Sequence, residues 1–262
     1  ILGIGWNAYE INLDYLSKGY SLINQDGWAG QNANGYALLL LLALFLTLSV
    51  ALHVTKPYYK VGLLFIAALD VHAIFIVEAR GAMLGCVISF VLLIWYMEKS
   101  LRNFLLIGAL SCIGLVLAGP SVVKEFSSSF ASKGLDESAA SRFYVWEAGL
   151  KMTLDKPLLG FGPWAAEFMV PQYYSDPQGV AKDSIHLHNL PLEVSTGMGI
   201  PALLLYASFF FFPTWRLRRV LRQVRALPDA AGLTAIATVC VGLLAGIPGY
   251  WFASLFNSGA FD

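Results

Sequence analysis

The stretch DSIHLHNLPLEV, residues 183–194, puts His186, His188, Asn189 and Glu193 where a polar segment meets an apolar run. A neutral histidine near pH 7 can take a proton from a hydroxyl, which is general-base chemistry. The two histidines stand two apart, unlike the i, i+4 pair of a helical zinc site, and no third ligand of suitable spacing follows. No metal is therefore expected. A structural histidine at the start of a helix is the plainer alternative for each.

Two arginines have the chemistry to hold an anion. Arg80 lies in VEARGAML, between two apolar runs. A cation at membrane depth costs a few kcal/mol unless it is paired or wetted. Pairing with Glu78 is one solution. An anion site is the other, because the guanidinium fork matches phosphate oxygens. Arg142 precedes Trp146 by four residues in DESAASRFYVWEAGLKMTLDKP, so on a helix the two share a face. Snorkelling to lipid phosphates is its plainer role. In DKPLLGFGPW, Gly160 and Gly162 make a tight turn whose backbone can approach a ligand, or simply turn. Tyr173 and Tyr174 can pack the loop against the spans. Asp70 and His72, in ALDVHAIF, could form a polar pair inside a bundle.

The elements that must position these residues are membrane helices. The chain is 57% hydrophobic and 13% charged, whereas soluble domains carry about 25% charged residues. With zero formal net charge and no basic tail, nucleic acid is not an expected partner. Cys86, Cys112 and Cys240 all fall in apolar runs and read as small buried hydrophobes. Six runs have the length to cross a bilayer, some marginally: 36–52, 60–77, 81–97, 103–119, 190–213 and 233–255. The expected fold is an all-α integral membrane protein, a polytopic bundle of about six spans forming one membrane domain over 1–262. It divides into an external segment 1–35, four spans in 36–119, a long loop 120–189, and two spans in 190–255.

Charge orients the spans. The alternate loops 53–60, 98–102 and 214–232 hold nine lysines and arginines against Glu98 and Asp229 alone. The positive-inside rule places these loops in the cytoplasm and the loop 120–189 outside. Loops longer than about 12–15 residues carry function or their own secondary structure. A helix is expected between Asp136 or Ser138, as cap, and Pro157, as stop, with Phe143, Trp146, Leu150 and Leu154 as its apolar stripe.

Taken in order, Arg80 at the mouth of a span, SRFYVWEAGLKMTLDKPLLGFGPW and HNLPLEVSTGMGIPALLLY resemble the O-antigen ligase/polymerase superfamily. That family shows an arginine at the external end of a span, then R-x3-W, P-L-x-G-x-G and H-N, with glycines about nine residues later. Here His188-Asn189 is followed by nine residues and Gly199, with Gly197 also present. AGQNANGYALLLLL resembles the family's G-x-N-x-N stretch. The resemblance runs from about residue 29 to 212.

It implies a C-type membrane glycosyltransferase in the bacterial inner membrane, with its active site facing the periplasm and no cofactor or metal. The donor would be an undecaprenyl-diphosphate-linked glycan. The acceptor would be a sugar of lipid A-core, with a second lipid-linked glycan (polymerase) or a protein hydroxyl as alternatives. His188 would be the general base. Arg80 and Arg142 would bind the diphosphate, and transfer would invert the anomeric carbon. Asn189, His186, Trp146, Gly160, Gly162, Tyr173, Tyr174 and Glu193 would line the substrate site. Members have ten or more spans, so with Ile1 as the first residue further spans are expected upstream. Residues 1–35 do not read as a signal peptide. A secondary transporter using Asp70, His72, Glu78 and Arg80, with GIPGYW as a broken helix, is the rival from another class. A scaffold protein is the third.

Overall fold

The computed structural model describes residues 1–18, 33–77, 79–101, 103–105, 108–109, 137–174, 184–228 and 231–257. The described residues are almost entirely helical and contain no strand. The helices are α1 (Leu2–Lys18), α2 (Ala33–His53), α3 (Pro57–Ile76), α4 (Arg80–Tyr96), α5 (Glu137–Asp155), α6 (Ala166–Tyr173), α7 (Leu190–Arg225) and α8 (Ala231–Ser254). Four of them are long and apolar enough to cross a membrane: α2, α3, α7 and α8. The apolar helix α4 is shorter, at 17 residues. Of the expected run 103–119 only 103–105 and 108–109 are described, and the cap Asp136, Glu78 and Cys112 lie outside the described residues. The fold is an all-α polytopic membrane protein.

The chain divides into two compact units. One comprises Ile1–Lys124 with Phe212–Ala253, the other Glu125–Phe211 with Ser254–Asp262. In the first, α2 is the central helix. Leu40, Leu41, Leu44, Phe45 and Leu48 are all buried, and Phe45 meets Phe90 of α4 edge to face. Lipid tails are as apolar as leucine, so close packing rather than water exclusion holds such helices together. Glycines supply the closeness. A Cβ on Gly242 of α8 would stand 2.9 Å from the Leu46 Cα of α2, and one on Gly85 of α4 would stand 2.6 Å from the Gly249 carbonyl oxygen. The Ser49 hydroxyl donates to the Thr238 carbonyl at 2.6 Å across the α2–α8 contact.

Three features depart from the sequence reading. The segment expected only as an external stretch contains α1, which packs along α3. Asn12 there donates to the Leu69 carbonyl at 3.1 Å, and its side-chain oxygen takes a hydrogen bond from His72. The expected Asp70–His72 pair does not form, because two residues on a helix differ by about 200°. Asp70 is fully buried, and its carboxyl oxygens have no hydrogen-bond partner among the described residues. Finally, the basic segment expected as a loop from 214 continues α7 to Arg225. Leu217, Val220 and Leu221 recur at helical spacing and pack into the first unit's core, which keeps the segment wound.

Candidate active site

The second unit holds ten of the eleven site residues expected from sequence. Its small core is made by Val145, Ala148 and Met152 of α5, Ala166 and Val170 of α6, and Leu187. The buried face of α5 is thus not the expected stripe. Phe143, Leu150 and Leu154 are exposed. Large apolar residues drew the sequence reading to one face, but the packing face is the one with Ala148 and Gly149, which lets a neighbour come close. A Cβ on Gly149 would stand 2.9 Å from a Leu187 methyl. Leu187, only 2% exposed, is the plug that fixes the histidine segment. Its neighbours His186 and His188 consequently point elsewhere.

Two prolines place this segment by what they lack. Pro171 inside α6 has no N–H, so the Glu167 carbonyl has no donor four residues on. The Ile185 N–H takes that place at 3.1 Å. Pro201 in α7 likewise leaves the Gly197 carbonyl without a helical donor, and the Gly162 N–H supplies one at 2.9 Å. α7 is broken here. Gly199 has φ 83° and ψ 176°, a conformation essentially confined to glycine. Around the break, Phe161 N–H donates to the Thr196 carbonyl at 2.8 Å and Ile200 N–H to the Pro157 carbonyl at 2.7 Å. The P-L-L-G-F-G turn is docked into the kink by three backbone hydrogen bonds. Gly160, at φ 66°, has the α7 backbone against it: an added Cβ would lie 2.7 Å from the Gly197 oxygen. For Gly160 the close approach is to this chain's own backbone.

His188 has φ 48°, the only non-glycine residue with positive φ among the described residues. Such a geometry is uncommon and costs of order 1–3 kcal/mol, held in place by surrounding contacts. Those contacts are visible on both sides. Trp146 donates its indole N–H to the Leu187 carbonyl at 3.0 Å. Asn189 caps α7: its Oδ1 accepts from Leu192 N–H at 3.1 Å, and its carbonyl from Glu193 N–H at 2.9 Å. Behind them, Thr153 of α5 and Ser195 of α7 share a buried hydrogen bond of 2.9 Å. Sequence reading missed Thr153, Ser195, Leu187, Pro171 and Pro201. Of these only the two prolines carried a signal, a missing donor four residues past a carbonyl.

His188 is half-buried, and burial is the main reason its pKa lies below the ordinary histidine value. The positive charge of Arg142 lowers it further, and His186 adds to this. Burial and the Arg142 charge thus both favour the neutral form of His188. The His186 and His188 rings are 6.0 Å apart. His186 is exposed and its Nδ1 lies 3.0 Å from a Glu167 carboxyl oxygen. Tyr173 donates to Asp155 at 2.6 Å and packs edge to face on Phe161. That hydrogen bond is the first cause of its raised pKa. Tyr174 packs on the same small core, as does Leu192 on the turn before Glu193.

Arg80, the eleventh residue, belongs to the other unit and opens α4. As the first residue of α4 it sits at the positive end of the helix dipole, a place that favours an anion.

Residues 63–207 match the family model for O-antigen ligase, a stretch that includes Arg80, Arg142 and His188. No curated protein matches the chain.

Proposed function

The chain belongs to the O-antigen ligase family, and from that premise we propose that it is an inverting glycosyltransferase. It moves a glycan from undecaprenyl diphosphate to a sugar hydroxyl of lipid A-core at the periplasmic face of the inner membrane. The observation that carries this reading is His188: a strained, half-buried histidine whose burial and charged neighbour Arg142 favour its neutral form. In the proposed step His188 takes the proton of the acceptor hydroxyl. The acceptor oxygen bonds to the anomeric carbon from the face opposite the donor phosphate. The bond from that carbon to the phosphate oxygen breaks, and its electron pair leaves with undecaprenyl diphosphate.

A positioned base contributes typically 10²–10⁴-fold in rate. Arg142 holds the diphosphate and offsets the charge that grows on it as it departs, without need of a metal. Asn189 and Trp146 keep His188 in place, and His186, Tyr173, Tyr174 and Glu193 lie toward the glycan. The exposed Phe143, Leu150 and Leu154 stripe gives α5 a face for lipid, which sets the site at headgroup height.

The test is transfer in vitro from an undecaprenyl-diphosphate glycan to a lipid A-core acceptor, with His188→Ala beside wild type, in chelator. Transfer that survives chelation and is lost in the variant supports the reading. Equal rates for both proteins would discard His188 as base. Transfer only to a second lipid-linked glycan or to a protein would move the chain to those branches of the superfamily.

A further inference from the structure

The arginines near the end of α7 are not evenly used. Leu217, Val220 and Leu221 pack inward. Arg218, Arg222 and Arg225 follow the i, i+4, i+7 spacing of a single helix face. They line one side of a cleft of about 520 Å³, with Leu92, Trp95 and Tyr96 at the end of α4 on the other. Arg218 lies over the Tyr96 ring at 5.8 Å, and Arg225 donates to the Tyr96 carbonyl. Both contacts hold the guanidinium groups in place. None of the lining residues is acidic, and no carboxylate pairs with these three arginines among the described residues. The carbonyl end of α4, which would repel an anion, is covered by Lys99, whose ammonium donates to the Ile94 and Trp95 carbonyls.

Three arginines without an acidic neighbour among the described residues suit a phosphate anion, and the walls of the cleft indicate its source. On α4, Val87, Val91 and Trp95 form an exposed apolar track at i, i+4, i+8 that ends in the cleft, with Trp95 74% exposed. Such a track suits an acyl chain, and tryptophan at a span's end suits the headgroup level. The arginines lie beyond the apolar run of α7, where basic pockets between membrane helices meet lipid phosphates. We propose that the cleft binds the phosphate headgroup of an anionic lipid, in a site separate in chemistry and sequence from the histidine segment.

The test uses the purified full chain in neutral detergent, titrated with dioleoylphosphatidylglycerol and with dioleoylphosphatidylcholine, bound lipid being counted by native mass spectrometry. Arg218→Gln/Arg222→Gln is compared with Arg216→Gln/Arg219→Gln, which removes the same charge outside the cleft. Phosphatidylglycerol is expected to bind more tightly than phosphatidylcholine. The cleft variant is expected to lose about 25-fold in affinity for it, at about fivefold per arginine, and the control much less. Arg218→Lys/Arg222→Lys, which keeps charge but not the fork, is expected to fall between. Equal losses in the two glutamine pairs would overturn the site in favour of diffuse charge. Equal binding of phosphatidylcholine, or displacement of the lipid by millimolar inorganic phosphate, would overturn the anionic-lipid assignment.

Discussion

Replacing Gly199 by alanine tests how the turn and the kinked helix hold each other. The backbone there, φ 83° and ψ 176°, costs a non-glycine residue about 1–3 kcal/mol. The new Cβ would also lie 2.8 Å from the Pro157 oxygen and overlap the Leu158 carbonyl. Relief requires the turn to withdraw. That breaks Ile200 N–H to Pro157 and loosens Phe161 N–H to Thr196 and Gly162 N–H to Gly197. Each bond is worth about 0.5–1.5 kcal/mol net. Strain and lost bonds together come to about 3–7 kcal/mol, a large share of the 5–15 kcal/mol typical of a folded protein. The melting temperature in detergent is expected to fall by on the order of 10 °C, with transfer activity falling too. Two controls separate the contributions. Gly162→Ala, at φ 104° but with only the Ala165 Cβ at 3.6 Å, carries strain without the clash and costs at most about 3 kcal/mol. Gly62→Ala, in α3 with nothing within 4 Å, stabilises by roughly 0.5–1 kcal/mol. A Gly199→Ala protein that melts within about 2 °C of wild type and keeps its activity would refute the docking argument.

The proposed base gives a pH prediction whose sign follows from its surroundings. His188 works when neutral and its pKa is lowered, so activity rises with pH through a limb below the ordinary histidine value and is level at pH 7. Arg142→Gln removes a positive neighbour, so the acidic limb of kcat/KM moves to higher pH; a limb that stays put or moves down contradicts the assignment. Trp146→Phe removes the donor to the Leu187 carbonyl and frees the segment, costing about 1–3 kcal/mol of stability, with kcat reduced at unchanged donor KM; unchanged kcat would show that the bond does not position His188. Asn189→Ala removes the cap of α7 and costs about 1 kcal/mol, largely restored in Asn189→Ser, as read by thermal melting. Pro171→Ala gives α6 an N–H that competes for the Glu167 carbonyl, so faster hydrogen exchange at Ile185 is expected; unaltered protection there would show that the proline does not place the segment.

Much of the helix content was legible because composition and run length suffice for it. The low charge and the apolar runs at α2, α3, α7 and α8 announce spans whatever their packing. The family was legible because its motifs are local in sequence and ordered. The packed face of α5 was not legible. Phe143, Trp146, Leu150 and Leu154 and the smaller Val145, Ala148, Gly149 and Met152 both recur at helical spacing. Periodicity cannot choose between two apolar faces when lipid is available to one of them. The helical continuation of α7 past residue 213 was hidden by its arginines, which fit a loop as well as a helix until the inward Leu217 and Val220 are seen to pack.

Sequence alone determined that this chain is an all-α membrane protein of the O-antigen ligase family. Only the tertiary structure decided what holds His188. Its positive φ, the Leu187 plug, the Trp146 hydrogen bond and the docking of the glycine turn at Gly199 join residues 35 or more positions apart. The reason is physical. A span needs only enough consecutive apolar residues, which a linear sequence displays. A strained residue needs contacts from several elements at once, and carbonyls orphaned by Pro171 and Pro201 find their donors only when the chain has folded back on itself.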